Sequence, residues 1–330
     1  MPAPSILSQR LLLLQSFKET VWGTAGSSTA KWMAVKPFPE FKPYRKSTVF
    51  DEVRGSLAAG FNSAVLRKGG EFKIDGHLTY EDANFLGQGF FGIVTLGSTT
   101  PFLATYNGPT GSQPSLQSYS FEYNQTGGFV QASGCIMNKL QLKGAAMDHW
   151  EYTVNGFAAD MDASSGSAIT TLADRTVEVA LVGTSALCLD IVSGSMGLTA
   201  APGVLIDFDL TMENGAKPIY TAGSLPPAVW VMGEKFKSQL TLSLLYTTAV
   251  RTFIVTTLMA GSKGFIQLKS TSSTKYITLQ FCGVLSDEPA LFGNKDGAQF
   301  VQIKLDAIYD ATFAGYTNML VAQTTGSTVP

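Results

Sequence analysis

Apolar and polar residues alternate strictly along much of this chain. From Glu71 to Tyr80 (EFKIDGHLTY), Phe72, Ile74, Leu78 and Tyr80 face one way, and Lys73, Asp75, His77 and Thr79 face the other. From Gln239 to Tyr246, Leu240, Leu242, Leu244 and Tyr246 alternate with Thr241 and Ser243. Shorter runs repeat the pattern at Tyr119/Phe121/Tyr123, Trp150/Tyr152/Val154, Val177/Val179/Leu181, Ile206/Phe208/Leu210/Met212 and Val301/Ile303/Leu305. A period of two predicts strands with one buried and one wetted face. Such strands build antiparallel sheets packed on one side, as in a sandwich.

Helical patterning is sparse. Thr247–Ala260 carries Val250, Phe253, Ile254, Thr257 and Leu258 at helical spacing, and Gly261 is a natural stop. Thr79 and Asp82 are spaced like a capping box, which predicts a short helix over Thr79–Leu86 ending at Gly87. Arg10–Lys18 reads as a third short helix. The two longest alternating strands are each followed at once by a helix and a glycine, about half a chain apart. A repeated unit of this kind sets the reading of the whole fold. The chain is therefore expected to be mainly β: two related antiparallel β-sandwich domains, 1–160 and 161–330, each with a flanking short helix. The small, polar segment Asp160–Ala173 (DMDASSGSAITTLA) reads as the linker between them.

Between Pro39 and Gly70 the alternation breaks. This stretch gathers Lys42, Arg45, Lys46, Asp51, Glu52, Arg54, Arg67 and Lys68. It is expected to be a long irregular loop, an arm that reaches a neighbouring subunit, with a solvated surface loop or an ordinary hairpin as the alternatives.

Composition narrows the function classes. In 330 residues the apolar fraction is 45 % but charged residues make up only 15 %, against roughly 25 % in ordinary soluble domains. Either copies of the chain cover much of its surface, or its exposed positions are Ser, Thr, Gln and Asn. A formal net charge of −2 argues against wrapping nucleic acid. No apolar run approaches the ~20 residues of a membrane span, and Leu11–Leu14 is too short for a signal-peptide core, so the chain is expected to be made and kept in the cytoplasm. Cys135, Cys188 and Cys282 are odd in number and widely spaced. They form neither a disulfide framework nor a zinc pattern.

Candidate chemistry fails on context. Gly87-Gln88-Gly89-Phe90-Phe91-Gly92 matches G-x-G-x-x-G but closes a helix instead of opening one after a strand, with no acid about twenty residues on. His77 and His149 are the only histidines, and no Glu or Cys stands at ligand spacing from either in the sequence. No G-x-S-x-G elbow exists. Asp160-x-Asp162-x-Ser164 lacks the glycine position and terminal Glu of a calcium loop. Asp207, Asp209 and Glu213 share a strand face, where acids are usually just solvated. No catalytic residue, metal site or cofactor is expected, and the chain is not expected to be an enzyme.

Several segments resemble one family in the order in which they occur. Glu19-Thr20 and Gly23-Thr24 lie near the start. Val53-Arg54-Gly55-Ser56 precedes the strand entry at Gly69–Gly76. Ala132–Gly144 is followed by a strand ending in Gly156. Leu210–Gly215, Met232-Gly233-Glu234-Lys235 and the Leu240–Tyr246 strand complete the series. In these features the chain resembles the tail tube (major tail) proteins of long-tailed, siphovirus-like bacteriophages. The resemblance implies tail-tube-like β-sandwich domains with an inter-ring loop at 39–70. It implies a structural virion subunit of the tail, forming stacked rings around a hollow lumen. Two such domains per chain imply a trimeric, pseudo-hexameric ring. Its partners would be itself, a tape measure protein in the lumen, and tail terminator and tail tip proteins, with DNA only in transit and no membrane. A β-sandwich virion decoration or glycan-binding adhesin module, and a hydrolase with a non-obvious site, are the competing readings.

Overall fold

The computed structural model describes residues 13–24, 31–32, 36, 39–50, 62–94, 97, 99–125, 128–162, 178–192, 194, 196–289, 293–295 and 298–323. In the first half the strands are β1 (Leu13–Lys18), β2 (Lys31–Trp32), β3 (Glu40–Phe50), β4 (Asn62–His77), β5 (Phe102–Asn107), β6 (Tyr119–Gln125), β7 (Gly128–Ala145), β8 (Glu151–Ala158) and β9 (Asp160–Asp162), with helix α1 (Ala83–Phe90) after β4. The second half contains β10 (Ser185–Asp190), β11 (Leu205–Glu213), β12 (Ala216–Ile219), β13 (Val229–Met232), β14 (Lys237–Leu245), β15 (Gly264–Ser272), β16 (Lys275–Leu285), β17 (Gly293–Lys295), β18 (Ala298–Ala307) and β19 (Thr317–Gln323). Helix α2 (Thr248–Thr252) follows β14 and continues as a π-helical segment over Phe253–Leu258. The protein is mainly β, and every strand pair is antiparallel.

Hydrogen-bonded order repeats between the halves. In the first it runs β3–β4–β8–β7–β6–β1. In the second it runs β11–β14–β18–β16–β15–β10. In each, the helix follows the second strand in that order, and a further strand (β9 or β19) flanks the fourth. The halves also join. β11 pairs with β7 over Asp207–Glu213 against Lys139–Ala145, and β19 pairs with β5. One apolar cluster draws on both, from Phe72 and Ile74 through Trp150 and Phe208 to Leu242 and Ile303. Each fully buried side chain of this size stabilises the fold by about 1.5–3 kcal/mol.

The long strand β7 ties the layers together. Its first half pairs with β6 and β9, and its second with β8 and β11, with a register irregularity between Met137 and Lys139. Such a bulge bends a strand and lets it serve two layers. Phe72 on β4 meets Phe121 on β6 at 5.3 Å between ring centroids, which places the two layers face to face.

Four expectations are corrected. The 39–70 segment is not an irregular loop. Its described residues form the β3–β4 hairpin, with a register shift between Lys46 and Ser47. Beyond Tyr44 this ribbon has no deeply buried face, so its sequence lacks the alternation that marks a half-buried strand. Leu13–Lys18 is a strand, not part of a helix. Its leucines favour helix locally, but six paired positions against β6 override that preference. Helix α1 does not stop at Gly87; it runs on to Phe90. A Cβ at Gly87 would meet the Tyr106 ring, and one at Gly89 would meet Met137 and Tyr119. These glycines therefore admit close packing onto the helix. The third run, 177–181, contributes only isolated bridges at Val179 and Leu181. The second helix is capped as expected: Thr247 Oγ1 accepts from the Val250 amide at 3.3 Å. Helix α1 also begins later than expected, at Ala83, with Asp82 at its N-cap and no side-chain cap bond; Thr79 Oγ1 accepts from the Asp82 amide at 3.0 Å in the turn before it. Gly261, at φ +76°, follows the second helix as its stop. Most of the expected linker, from residue 163 on, lies outside the described residues.

Candidate assembly surface

The strands β3, β4, β8, β7, β11, β14 and β18 lie side by side, so one sheet crosses both halves. Alternation decides what each face carries. Phe72, Ile74, Tyr152, Val154, Leu140, Leu142, Phe208, Leu210, Leu240, Leu242, Ile303 and Leu305 point into the core. The opposite face reads Lys73–Asp75–His77 on β4, Glu151–Thr153–Asn155 on β8 and Lys139–Gln141–Lys143 on β7. It continues as Asp207–Asp209–Thr211–Glu213 on β11, Gln239–Thr241–Ser243 on β14 and Gln302–Lys304–Asp306 on β18.

Opposite charges are interleaved across that face. Lys139 bonds Glu213 at 2.9 Å, Gln141 donates to Asp209 at 2.7 and 2.9 Å, Lys73 meets Asp75 at 3.0 Å, and Gln239 donates to Asp306 at 2.7 Å. Asp306 titrates lower than an ordinary aspartate because the nearby Ser286 hydroxyl and the hydrogen-bonded Gln239 amide favour its charged form. The acids expected to be merely solvated at Asp209 and Glu213 are thus partnered from β7. Exposed pairs like these add little stability, about 0–1 kcal/mol each. Their larger effect is to leave a wetted surface without a block of one sign.

The sheet has open ends. Among the described residues β3 pairs with β4 alone, and Pro43 sits mid-strand, a position suited to an edge. At the other end the last residues of β16, Gly283–Leu285, and the short β17 both lie against β18. By position in the repeated order, β3 corresponds to β11 and the β16–β17 stretch to the second half of β7. Within the chain those two counterparts are paired.

The described charged candidates of the 39–70 segment separate into three groups. Arg67 stacks between Tyr44 and Tyr220, 5.4 and 5.0 Å from the ring centroids, and Lys68 pairs with Asp160 at 2.5 Å. Tyr44 and Tyr220 also share a hydroxyl hydrogen bond, and burial raises the Tyr220 phenol above its usual range. These contacts clamp the hairpin base to the segment after β12 and to β9. Lys42 pairs with Glu40 at 2.6 Å, and that hydrogen bond and charge hold the Glu40 carboxyl below its usual range. Arg45 and Lys46 are exposed on β3. Asp51, Glu52 and Arg54 lie outside the described residues.

One grouping escaped the sequence. His77, the last residue of β4, stands directly opposite Glu151, the first of β8, and His149 precedes Glu151 by two positions. The imidazole centroids are 4.2 Å apart, and one donor atom from each of the three residues lies within 4.8 Å of the others. Burial, then the nearby His149 and Lys36 charges, lowers the His77 pKa below its ordinary value. The expectation that no Glu stands at ligand spacing is corrected: His149 and Glu151 are two positions apart, which on an extended chain puts both on one face, and only His77 is brought in by the register of the next strand. The cysteines, by contrast, are free and buried as expected, and burial pushes the Cys282 thiol up to about 12.

No helix among the described residues is long and apolar enough to cross a membrane. No curated protein matches the chain. The sequence profile described as phage tail tube protein matches residues 9–315, so this chain, a β-sandwich protein with a long polar-faced sheet, belongs to the phage tail tube protein family.

Proposed function

We propose that the chain is a structural subunit that closes into rings and stacks into the hollow tail tube, with the polar face of the long sheet turned to the lumen. The β7–β11 junction carries this reading. There one repeated unit extends the sheet of the other by backbone pairing. The corresponding edges at the chain's extremes, β3 and the β16–β17 stretch, are open to the same pairing with a second copy. Joining them repeats the internal junction between chains, covers both exposed edges, and makes the two halves near-equivalent units of one closed sheet. Three chains would then supply six units. A lumen of interleaved, slightly acidic charge holds no patch to which DNA would adhere, and DNA would slide through without specific binding. A tape measure protein would fill the lumen during assembly, with tail terminator and tail tip proteins at the ends. The β3–β4 hairpin, its base clamped by Arg67 and Lys68, would present Arg45 and Lys46 to the next ring.

Two measurements test this. Negative-stain microscopy of concentrated or seeded protein should show hollow filaments. A chain that stays monomeric under all conditions and binds a glycan would instead be the decoration or adhesin module. For the seam, cysteines introduced singly along 40–45 and along 283–286 should give, in combination and on oxidation, a disulfide ladder that ends at three chains. Filaments that form without any such crosslink would place the seam elsewhere.

A further inference from the structure

We propose that His77, His149 and Glu151 form a binding site for one divalent transition-metal ion, with Zn²⁺ the ion of choice. The backbone builds the constellation. Two ligands at i and i+2 on the β8 side share a face, and the third stands opposite on β4. Among the described buried polar atoms, His77 Nδ1 and His149 Nε2 are two of the few with no hydrogen-bond partner. Buried polar atoms normally find partners, so two unpartnered imidazole nitrogens near one carboxylate call for an occupant.

The remaining nitrogen of His149 supports the assignment. Asp148 Oδ1 lies 2.5 Å from His149 Nδ1, which keeps the proton on Nδ1 and leaves the Nε2 lone pair directed at the site. His149 Nε2 and Glu151 Oε1 are 3.5 Å apart. Two ligands bound tetrahedrally at about 2.0–2.1 Å stand roughly 3.3–3.5 Å from each other. That pair needs no movement, whereas the His77 nitrogen, within 4.8 Å of the other two ligand atoms, would close in on binding. Two imidazoles and a carboxylate suit Zn²⁺ or Co²⁺ and leave a fourth position for water.

The opposing charges are explicit. Glu151 is held by Lys36 and, at 3.2 Å, by Lys143. Lys36 contacts the same oxygen, Oε1, that faces His149, so the ion must displace that ammonium. Its side chain is 37 % exposed and free to swing into water. Lys36 is therefore a built-in competitor, and this gives the site a signature that a merely structural histidine pair lacks.

The experiment titrates Co²⁺ and Zn²⁺ into the unassembled full-length chain. Tetrahedral Co²⁺ absorption reports geometry, calorimetry reports stoichiometry and affinity, and circular dichroism confirms folding. One equivalent should bind. His149→Gln should weaken binding at least tenfold, as should His77→Ala, while Lys36→Met should tighten it by about tenfold. No binding, binding unchanged by both histidine variants, or Lys36→Met failing to tighten would each overturn the site. If His77→Ala does not fold, His149→Gln and Lys36→Met decide the question. The test does not depend on tube formation.

Discussion

Gly87→Ala sets two known effects against each other in the middle of α1. Alanine is the better helix former, so propensity alone favours the variant by about 1 kcal/mol. Packing opposes it, because the new Cβ would lie against the Tyr106 ring. That ring cannot retreat freely: its hydroxyl donates to Asn84 Oδ1 at 3.0 Å and to the Asn84 carbonyl at 3.2 Å, and the side chain is fully buried. Overpacking of this kind costs about 1–3 kcal/mol, and displacing the Tyr106 hydroxyl adds about 1 kcal/mol. The expected result is net destabilisation of about 1–3 kcal/mol. Guanidinium unfolding followed by tryptophan fluorescence measures it. In a Tyr106→Ala background the added methyl enters vacated space, so only the propensity gain should remain and the substitution should stabilise by about 1 kcal/mol. A Gly87→Ala chain as stable as the parent, or more so, would refute the packing account.

Other perturbations probe different contacts. Asn214 is fully buried, donates to the carbonyls of Phe90 (3.0 Å) and Met137 (2.9 Å), and accepts from the Ala216 amide (3.0 Å). Asn214→Leu should cost about 2–4 kcal/mol by leaving those groups unpaired, read as a lowered denaturation midpoint. Lys275 bonds Glu81 at 2.6 Å and Glu178 at 3.2 Å. Burial opposes its charge, but Glu81 and then Glu178 outweigh that and raise its pKa; the Ser272 hydrogen bond, above all, lowers that of Glu178. The lysine contribution is full below about pH 10.4 and lost as pH rises through its raised value. The Glu178 contribution is full above about pH 4.3 and lost as pH falls through its lowered value. Lys275→Met should therefore cost about 3 kcal/mol at neutral pH and progressively less in acid, and a penalty independent of pH would contradict the pairing. Deleting Ser47–Val65 should leave the circular dichroism spectrum of the sandwiches in place but prevent ring stacking, and intact filaments would exclude the hairpin from that contact.

The strands with one wetted face were legible because burial writes itself as period two. Phe72/Ile74, Leu240/Leu242 and Ile303/Leu305 mark their sheet faces directly. The second helix and its Thr247 cap, like the Thr79–Asp82 turn before the first, were legible because their hydrogen bonds are local. What depends on distant partners was hidden. Leu13–Lys18 becomes a strand only because β6 lies beside it. Gly87 reads as a helix stop until Tyr106, nineteen positions on in a loop-separated strand, is seen against it. The β3–β4 ribbon projects without a buried face, so alternation never develops there. Glu151 joins His77 only through a register that no spacing along the chain encodes.

The internal β7–β11 junction bears on how fast and how reliably a ring can form. Two units on one chain meet at an effective concentration near the millimolar range set by their tether, not at that of free protein. In a ring of three such chains, every second junction is already made when folding ends. Joining three chains then costs two losses of translational and rotational freedom, each about 4–15 kcal/mol, where joining six separate units would cost five. The tether also favours the internal pairing over a wrong one, which leaves fewer ways for a growing ring to close in the wrong order.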